Sequence, residues 1–392
     1  MGNAARKKVE KQKIYRVIFL IILILLFARP VLAFYSQKDI FTSRGYSKIY
    51  DYLKSSYSSS QYVKKNNPSI MPDQTLESFA GGAFLKGMNP ILIIHDQPPL
   101  GRYILSLSIF LFDNPNTIMI LLFFLSGLGV FLISRLTLNV LFSFIPLGIF
   151  INEPLFLSKF YYSPLLEPIH LPFIIFALYF FMQGIIKKNY FKWFILTAIM
   201  LGFVISIRFF ILGVILIITM VLYFLIKKQF NKKFALFLLT LPISILILLV
   251  SYTRTIQLGS SILHIFGIQK YIYYYHKTQL SLPFSFWDLL LFNRWHTWWG
   301  TKAVTSDSQW IIVWPISVFF TLLFFLFGVF KKISISEPEK VIIIWIAVYS
   351  VFLSIGETST RYFPPLMPFI YIIATSFLVK VIMQFKSKTK FV

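Results

Sequence analysis

Apolar runs long enough to cross a bilayer recur along almost the whole chain, and they limit what it can fold into. A run of roughly 17–25 apolar residues spans the hydrocarbon core of a membrane as an α-helix. A helix pairs its own backbone polar groups, which lipid cannot pair. Of the 392 residues, 57% are hydrophobic. The sequence therefore predicts an all-α, multi-pass membrane protein with about ten transmembrane helices.

The positions of the basic residues set the predicted topology. Basic turns between successive spans fall on one side of the membrane, which the positive-inside rule makes cytoplasmic. An eleventh span at 100–113 would move every later basic turn outside, so this stretch is expected to lie along the outer interface as an amphipathic helix. Both termini are then cytoplasmic, and the protein is expected in the plasma (inner) membrane. The ten predicted spans are about 17–34, 117–134, 136–151, 165–186, 191–207, 209–226, 234–252, 310–330, 341–355 and 362–384.

Two long polar intervals interrupt the apolar pattern within one predicted membrane domain, 1–392. They give a first outer loop at 35–116, with interfacial helices, and a second outer loop at 253–309. The chain has no cysteine, which excludes disulfides and thiolate chemistry, and its net charge is +24. Basic cytoplasmic turns that face anionic lipid explain this charge, so membrane lipid is the expected partner and nucleic acid is not.

The first outer loop concentrates the residues that could carry chemistry. Asp73 and Glu77 are four residues apart and share a face if this segment is helical. The segment His95-Asp96-Gln97-Pro98-Pro99-Leu100-Gly101-Arg102 then brings an imidazole, a carboxylate and a guanidinium together beside the membrane. Its prolines favour an extended backbone followed by the start of a helix. The alternative is a solvated helix face and an interfacial turn without chemistry.

These motifs resemble those of the polyprenyl-phosphate-dependent glycosyltransferases of the GT-C fold, which include protein O-mannosyltransferases and the aminoarabinose transferase of lipid A. In that family an acidic residue of the first outer loop precedes a helix and a Pro-Pro-Leu motif. Asp73 and Pro98-Pro99-Leu100-Gly101-Arg102 correspond to these features, and His95 lies near a histidine of the mannosyltransferases. Two later segments are also similar to the family, Leu165-Leu166-Glu167 and Arg361-Tyr362-Phe363-Pro364-Pro365-Leu366.

The chain departs from the family in the spacing of its acidic residue. The family usually has Asp-Glu soon after the first helix, whereas here the corresponding pair is Asp73-Gln74, well beyond it. Asp39 lies only a few residues beyond the first predicted helix and is the rival for the catalytic acid. Asp73 fits better, because a helix and the Pro-Pro motif follow it at the expected distance.

The resemblance implies a transferase whose parts can be assigned to residues. Transfer to a hydroxyl needs a base, and Asp73 is the candidate. The phosphate that leaves needs positive charge, for which Arg102, Arg208 and Arg361 are candidates. The side chains expected to shape the site are Glu77, His95, Asp96 and Glu167.

The second outer loop is rich in aromatic residues beside Arg294 and His296. Aromatic residues at an interface usually anchor to lipid headgroups, and the alternative is a groove for sugar or acceptor. The cluster Tyr271, Tyr273, Tyr274, Tyr275 and His276 has the same two interpretations. No cofactor is certain from the sequence. A divalent metal held by His95 with Asp96, Asp73 or Glu77 stays open, although carboxylates this scattered are a weak metal pattern.

The expected function is transfer of a hexose or pentose, with inversion, from a polyprenyl-phosphate donor. The acceptor is a protein, a lipid or a glycan of the cell envelope at the outer membrane face. The alternative is a flippase or transporter of lipid-linked sugars, for which charges at mid-membrane would be typical. The strong charges cluster instead at helix ends on one side, which favours an enzyme over a transporter or a scaffold.

Overall fold

The computed structural model describes residues 2–161, 164–277, 282–297, 303–356 and 358–388, and these are almost entirely helical. The first part forms α1 (Gly2–Ser36), α2 (Lys38–Thr42), α3 (Tyr46–Ser58), α4 (Asp73–Leu85), α5 (Pro90–Ile93) and α6 (Leu100–Phe112). The middle part forms α7 (Thr117–Thr137), α8 (Val140–Asn152), α9 (Pro154–Tyr161), α10 (Leu166–Ile186), α11 (Tyr190–Ile207), α12 (Ile211–Ile226), α13 (Lys232–Thr240) and α14 (Pro242–Ser251). The last part forms α15 (Thr253–Gln257), α16 (Ile262–Lys277), α17 (Ser285–Phe292), α18 (Val313–Val329), α19 (Glu337–Leu353) and α20 (Met367–Lys388), with strands β1 (Trp295–His296) and β2 (Val304–Thr305) and a 3-10 turn at Thr360–Tyr362.

Five helical segments of the described chain are long and apolar enough to cross a bilayer: Thr117–Thr137, Leu166–Ile186, Tyr190–Ile207, Lys232–Ser251 and Met367–Gln384. Helices α8 and α9 are bent by 52° and become a sixth if they form one broken span. Shorter apolar helices are Leu20–Ser36, Leu100–Phe112, Ile211–Ile226 and Val313–Val329. The all-α prediction is confirmed, and the number of about ten spans stays a prediction.

Helix α8 lies close to the span predicted at 136–151, and the break that follows it leads into α9, which the sequence did not predict. Asn139 caps the start of α8 by accepting a hydrogen bond from the backbone N–H of Phe142, and Pro154 follows the end of the helix. At that end, the Arg29 guanidinium donates to the backbone carbonyl of Asn152 at 2.6 Å. The carbonyl end of a helix attracts positive charge, so this contact pairs the arginine of α1.

Two apolar clusters position the polar residues of interest. The larger one is formed mainly by α7 to α12 and α17 to α20. The smaller one joins α3, α4 and α6 through residues such as Tyr57, Phe79 and Ile109. Helix α6 buries Leu105 in the larger cluster, and its exposed face carries the apolar residues Leu107, Phe110 and Leu111. The position of α6 along the outer interface stays a prediction. At 13 residues the helix is about 20 Å long, which is short of a hydrocarbon core of about 30 Å.

Some helices carry stripes of exposed apolar residues, as expected for surfaces that face lipid. On α18, Ile316, Phe319, Leu322 and Leu326 recur at helical spacing and are 46–55% exposed. A soluble monomer rarely exposes such continuous apolar surface. These faces are what a membrane would cover.

Candidate active site

One open cleft collects most of the residues singled out in the sequence. They arrive from different elements: the start of α4, the turn before α6, the start of α10, the end of α11 and the 3-10 turn before α20. The cleft is lined by Tyr62, Asp73, Leu76, Glu77, Asp96, Gln97, Leu165, Leu166, Glu167, Arg208 and Arg361. Six of the predicted site residues therefore share its wall: Asp73, Glu77, Asp96, Glu167, Arg208 and Arg361.

Asp73 stands at the accessible side of this cleft. It is the first residue of α4, after Pro72 in an extended conformation, and the helix N-terminus favours its negative charge. The carboxylate is 52% exposed, and it accepts a hydrogen bond from Nη2 of Arg361 at 3.4 Å. Asp73 therefore has both a cationic neighbour and an open side from which a second molecule can approach.

Glu167 lies deeper and holds two arginines. Its Oε1 is 3.1 Å from Nη2 of Arg208 and accepts from Nε of Arg361 at 2.7 Å, and Nη2 of Arg361 contacts the same oxygen. The Glu167 carboxylate raises the pKa of Arg361, whose charge is therefore secure. Both guanidinium groups also lie within 6 Å of the Tyr362 ring. The two cations thus converge on one point of the cleft wall.

Glu77 and Arg102 form a bidentate ion pair that joins α4 to α6. Nε and Nη2 of Arg102 donate to the two carboxylate oxygens at 2.8 and 3.0 Å, and Nη2 also reaches Asp96 at 3.4 Å. Burial raises the pKa of Glu77, although the Arg102 charge opposes this. Since Arg102 is fully buried, it lies beneath the cleft and not on its wall. In this geometry Arg102 binds the carboxylates of Glu77 and Asp96, in contrast to its predicted contact with phosphate.

The Pro-Pro motif places the turn before α6 against the core. The side-chain oxygen of Gln97 accepts from the backbone N–H of Phe209 at 2.7 Å, next to Arg208. A Cβ at Gly101 would lie 2.7 Å from Cδ2 of Leu166 and 3.0 Å from Cγ2 of Ile207, so a side chain there would force these neighbours on α10 and α11 to shift. The Gly of the motif is therefore explained by packing beside the site.

Other predicted residues do not themselves line the cleft. The His95 ring packs on the Tyr271 ring, with centroids 4.9 Å apart. His296 is 3.0 Å from Asp288, whose backbone carbonyl accepts from the N–H of Arg294. Asp39 is exposed on α2 and does not line the cleft. The side chain of His276, and residues Trp298, Trp299 and Lys302, lie outside the described part.

Sequence reasoning missed two features of this region. Tyr62 lines the cleft but lies in a Ser/Tyr-rich stretch without periodicity, which gave no signal. Glu153 is 1% exposed between α8 and α9, where its carboxylate accepts from the Tyr371 hydroxyl at 2.7 Å and from the Trp314 indole. An acid between two apolar runs is a recognisable signal, because such residues are rare inside membranes. Among the described residues, no three His, Asp or Glu side chains converge as a metal site would need.

The fold and the cleft together define the class: a helical membrane protein whose charged site lies at the ends of its helices. A family model described as dolichyl-phosphate-mannose-protein mannosyltransferase matches residues 96–256, less than half of the chain. This stretch runs from Asp96 through the Pro-Pro motif and Glu167 to Arg208 and beyond. No curated protein matches the chain.

Solved structures of two kinds share the fold. ArnT from Cupriavidus metallidurans bound to undecaprenyl phosphate matches with a TM-score of 0.59 and 14% identity, over 86% of this chain and 59% of that one. The apo state of the same protein matches with a TM-score of 0.52 and 16% identity, over 91% of this chain and 59% of that one. A third match is the archaeal oligosaccharyltransferase AglB from Archaeoglobus fulgidus, in complex with an inhibitory peptide and a dolichol-phosphate. Its TM-score is 0.51 and its identity 13%, over 76% of this chain and 44% of that one.

These matches confirm the predicted resemblance to GT-C polyprenyl-phosphate-dependent glycosyltransferases and the predicted multi-pass membrane fold. The identities are low, so the structural matches establish the fold alone. The chain spans about three fifths of the ArnT chains and less than half of the AglB chain.

Proposed function

We propose that this protein is a membrane glycosyltransferase that takes a sugar from a polyprenyl-phosphate donor. The observation that carries the proposal is the arrangement of one exposed carboxylate, Asp73, beside two convergent arginines in one cleft. A base and a phosphate clamp are the two parts that this reaction requires. The structurally similar ArnT binds undecaprenyl phosphate and AglB a dolichol-phosphate, which supports a donor of this class.

In the proposed reaction an acceptor hydroxyl approaches Asp73 from the open side of the cleft. Its oxygen attacks the anomeric carbon of the donor sugar while its proton passes to the Asp73 carboxylate. The bond from that carbon to the phosphate oxygen breaks, and polyprenyl phosphate leaves with the electron pair. One displacement from the face opposite the leaving group inverts the configuration at the anomeric carbon.

Arg208 and Arg361 would hold the phosphate as its charge grows. Guanidinium groups bind phosphate oxygens in a fixed fork, which suits this role. Arg361 now touches both Glu167 and Asp73. A phosphate that draws its Nη2 away would leave the Asp73 carboxylate free to take a proton, which links donor binding to activation of the base.

The proposed orientation places the cleft on the outer face, with both termini in the cytoplasm. Helices α2 to α6 then belong to the first outer loop, 35–116, and α15 to α17 to the second, 253–309. The positive-inside rule supports this orientation, because the basic turns at 187–192, 227–233 and 331–340 lie at the other ends of the helices.

The decisive experiment is a transfer assay in proteoliposomes with radiolabelled polyprenyl-phosphate sugars, wild type beside Asp73→Asn. The expected result is release of label from the lipid by wild type and not by the variant. Label that only changes leaflet would support a flippase. No release from any hexose or pentose donor, by folded protein, would refute the proposal.

A further inference from the structure

A tyrosine face of α16 lies beside the cleft and has no part in the proposed reaction so far. Tyr271 and Tyr275 are one helical turn apart, and they are 46% and 44% exposed. Their rings are nearly parallel, 23° between planes, with centroids 6.2 Å apart. Tyr271 also contacts the ring of His95, the residue before Asp96. This face therefore continues the cleft wall on the side of Asp96.

Tyr62 connects this face to the cleft. It lines the cleft, is 39% exposed and lies within electrostatic reach of Asp73, Asp96 and Tyr275. Burial and then these carboxylates raise the pKa of Tyr62 to about 12. Burial and Asp96 also raise the pKa of Tyr275. Both hydroxyls thus stay protonated at neutral pH and can donate hydrogen bonds.

The chemistry of this surface selects its ligand. Flat aromatic rings offer an apolar face, and protonated phenols and carboxylates offer donors and acceptors at their edge. A pyranose ring has the matching parts, C–H groups on one face and hydroxyls around its rim. A phosphate would be repelled here by Asp73 and Asp96, whereas it is attracted by the arginines at Glu167.

We infer that Tyr62, Tyr271 and Tyr275, with Asp96, form a subsite for a sugar ring of the acceptor, so that the acceptor is a glycan. The inference rests on the proposed function, since it places the acceptor hydroxyl beside Asp73. The donor sugar remains attached to the phosphate at the arginine side, so the two sugars occupy different parts of one cleft.

The test is saturation-transfer NMR on the full chain in detergent, with methyl α-D-mannopyranoside, methyl β-D-glucopyranoside and methyl N-acetyl-β-D-glucosaminide as probes. Wild type is expected to saturate the ring protons of at least one probe. The double substitution Tyr271→Ala/Tyr275→Ala should reduce this signal at least fivefold, whereas the corresponding Phe substitutions, which keep the rings, should retain most of it. Tyr273→Ala is the matched control, because Tyr273 lies on the opposite face of the same helix.

Three results would overturn the subsite. They are no saturation of any probe by wild type, an equal signal from the double Ala variant, or displacement of the bound probe by a polyprenyl-phosphate sugar. The last would assign the surface to the donor sugar. Unchanged melting temperatures establish that the variants are folded.

The binding measurement needs no turnover, so the two proposals fail separately. If the probes bind and Asp73→Asn retains full transfer, the proposed roles in catalysis fail and the subsite stands. If wild type transfers label to a Ser/Thr peptide but no probe binds, the transferase stands and the glycan acceptor fails.

Discussion

At the scale of single residues, the two candidate acids occupy different surroundings. Asp73 begins α4, lines the cleft and contacts Arg361, whereas Asp39 is exposed on α2 away from the cleft wall. Asp73 has an arginine beside it within the cleft, whereas Asp39 lies outside the cleft. The geometry therefore supports Asp73 as the base, which the spacing to the Pro-Pro motif already favoured.

We expect Asp73→Asn to lower the rate of sugar transfer by about 10²–10⁴-fold, the range that a general base contributes. Asparagine keeps the shape of the side chain but cannot accept the proton. Asp39→Asn should stay within about twofold of wild type, as should the control Asp51→Asn on the exposed face of α3. Initial rates in proteoliposomes decide; a large loss with Asp39→Asn alone would move the role to that residue.

The Arg361 guanidinium reaches Glu167 with two nitrogens and Asp73 with one of them. A lysine ammonium is a point charge that cannot keep this fork. Arg361→Lys should therefore raise the KM for the donor by about tenfold, or about 1.4 kcal/mol, and lower kcat as well. Arg44→Lys, on an exposed connection, should change neither. A normal donor KM for Arg361→Lys would exclude Arg361 from phosphate binding.

Residue types and spacing predicted six of the residues that line the cleft, because acids and arginines at helix ends stand out against an apolar chain. They could not separate a wall residue from a buried one. Arg102 has the same sequence signal as Arg361, yet it is fully buried in its pair with Glu77. Tyr62 reaches the cleft from the connection between α3 and α4, which no local pattern encodes.

At the scale of elements, α4 and α6 form the base of the site. Ser106 of α6 donates to the backbone carbonyl of Gly81 at 2.7 Å, and a Cβ at Gly81 would lie 3.1 Å from Leu105. The Glu77–Arg102 pair crosses the same interface. These contacts fix where Asp73, at the start of α4, stands relative to the turn that carries Asp96.

Breaking the pair on one side leaves a buried charge without its main partner. Glu77→Leu or Arg102→Leu should each cost about 3–5 kcal/mol of stability, and the double variant should recover much of this loss. Thermal unfolding in detergent measures the three variants. Additive losses in the double variant would show that the two groups do not stabilise each other.

The close approach at Gly101 gives a second prediction for the elements. Gly101→Ala should push α6 away from α10 and α11, lowering the melting temperature and transfer together, because its Cβ would overlap Leu166. Gly267→Ala is the matched control, since nothing lies within 4 Å of a Cβ there and alanine favours a helix by about 0.5–1 kcal/mol. A Gly101→Ala protein as stable and active as wild type would contradict this packing.

The elements also show what periodicity leaves out. The predicted span at 136–151 ends just before the 52° bend at which Glu153 and Pro154 separate α8 from α9, and α9 itself was not predicted. Proline has no backbone N–H to donate, and its ring clashes with the carbonyl group of the preceding helical turn. A break in the helix is therefore expected at Pro154. The fold class could be predicted from the sequence because lipid permits few backbone structures. The bends could not, because each depends on single residues.

At the scale of the whole molecule, charge is divided between two ends. Helix α12 separates Arg208, at the cleft, from Lys227 by about 24 Å along its axis. Lys227 and Lys340 bind Glu337 at 3.0 and 2.7 Å, and Lys380 binds Glu339 at 2.6 Å. One end therefore carries the cleft and the other a lysine-rich network, as expected of outer and cytoplasmic faces.

Because the chain contains no cysteine, single cysteines can report this orientation without background. A membrane-impermeant maleimide should label Lys64→Cys, in the first outer loop, on intact cells. It should label Lys188→Cys and Lys332→Cys only after the membrane is opened, because basic turns stay inside. All three positions are exposed, so burial does not limit the reaction.

The labelling pattern also decides the place of α6. If this helix lies along the outer interface, three membrane crossings separate 64 from 188, and the two positions face opposite sides. If α6 crossed the membrane, there would be four crossings, and both would react from the same side. If positions 188 and 332 were labelled on intact cells and position 64 were not, the orientation would be the reverse of the one proposed. The cleft would then face the cytoplasm, where a donor on the outer leaflet could not reach it. The number of membrane crossings, odd or even, therefore tests on which side of the membrane the sugar is transferred.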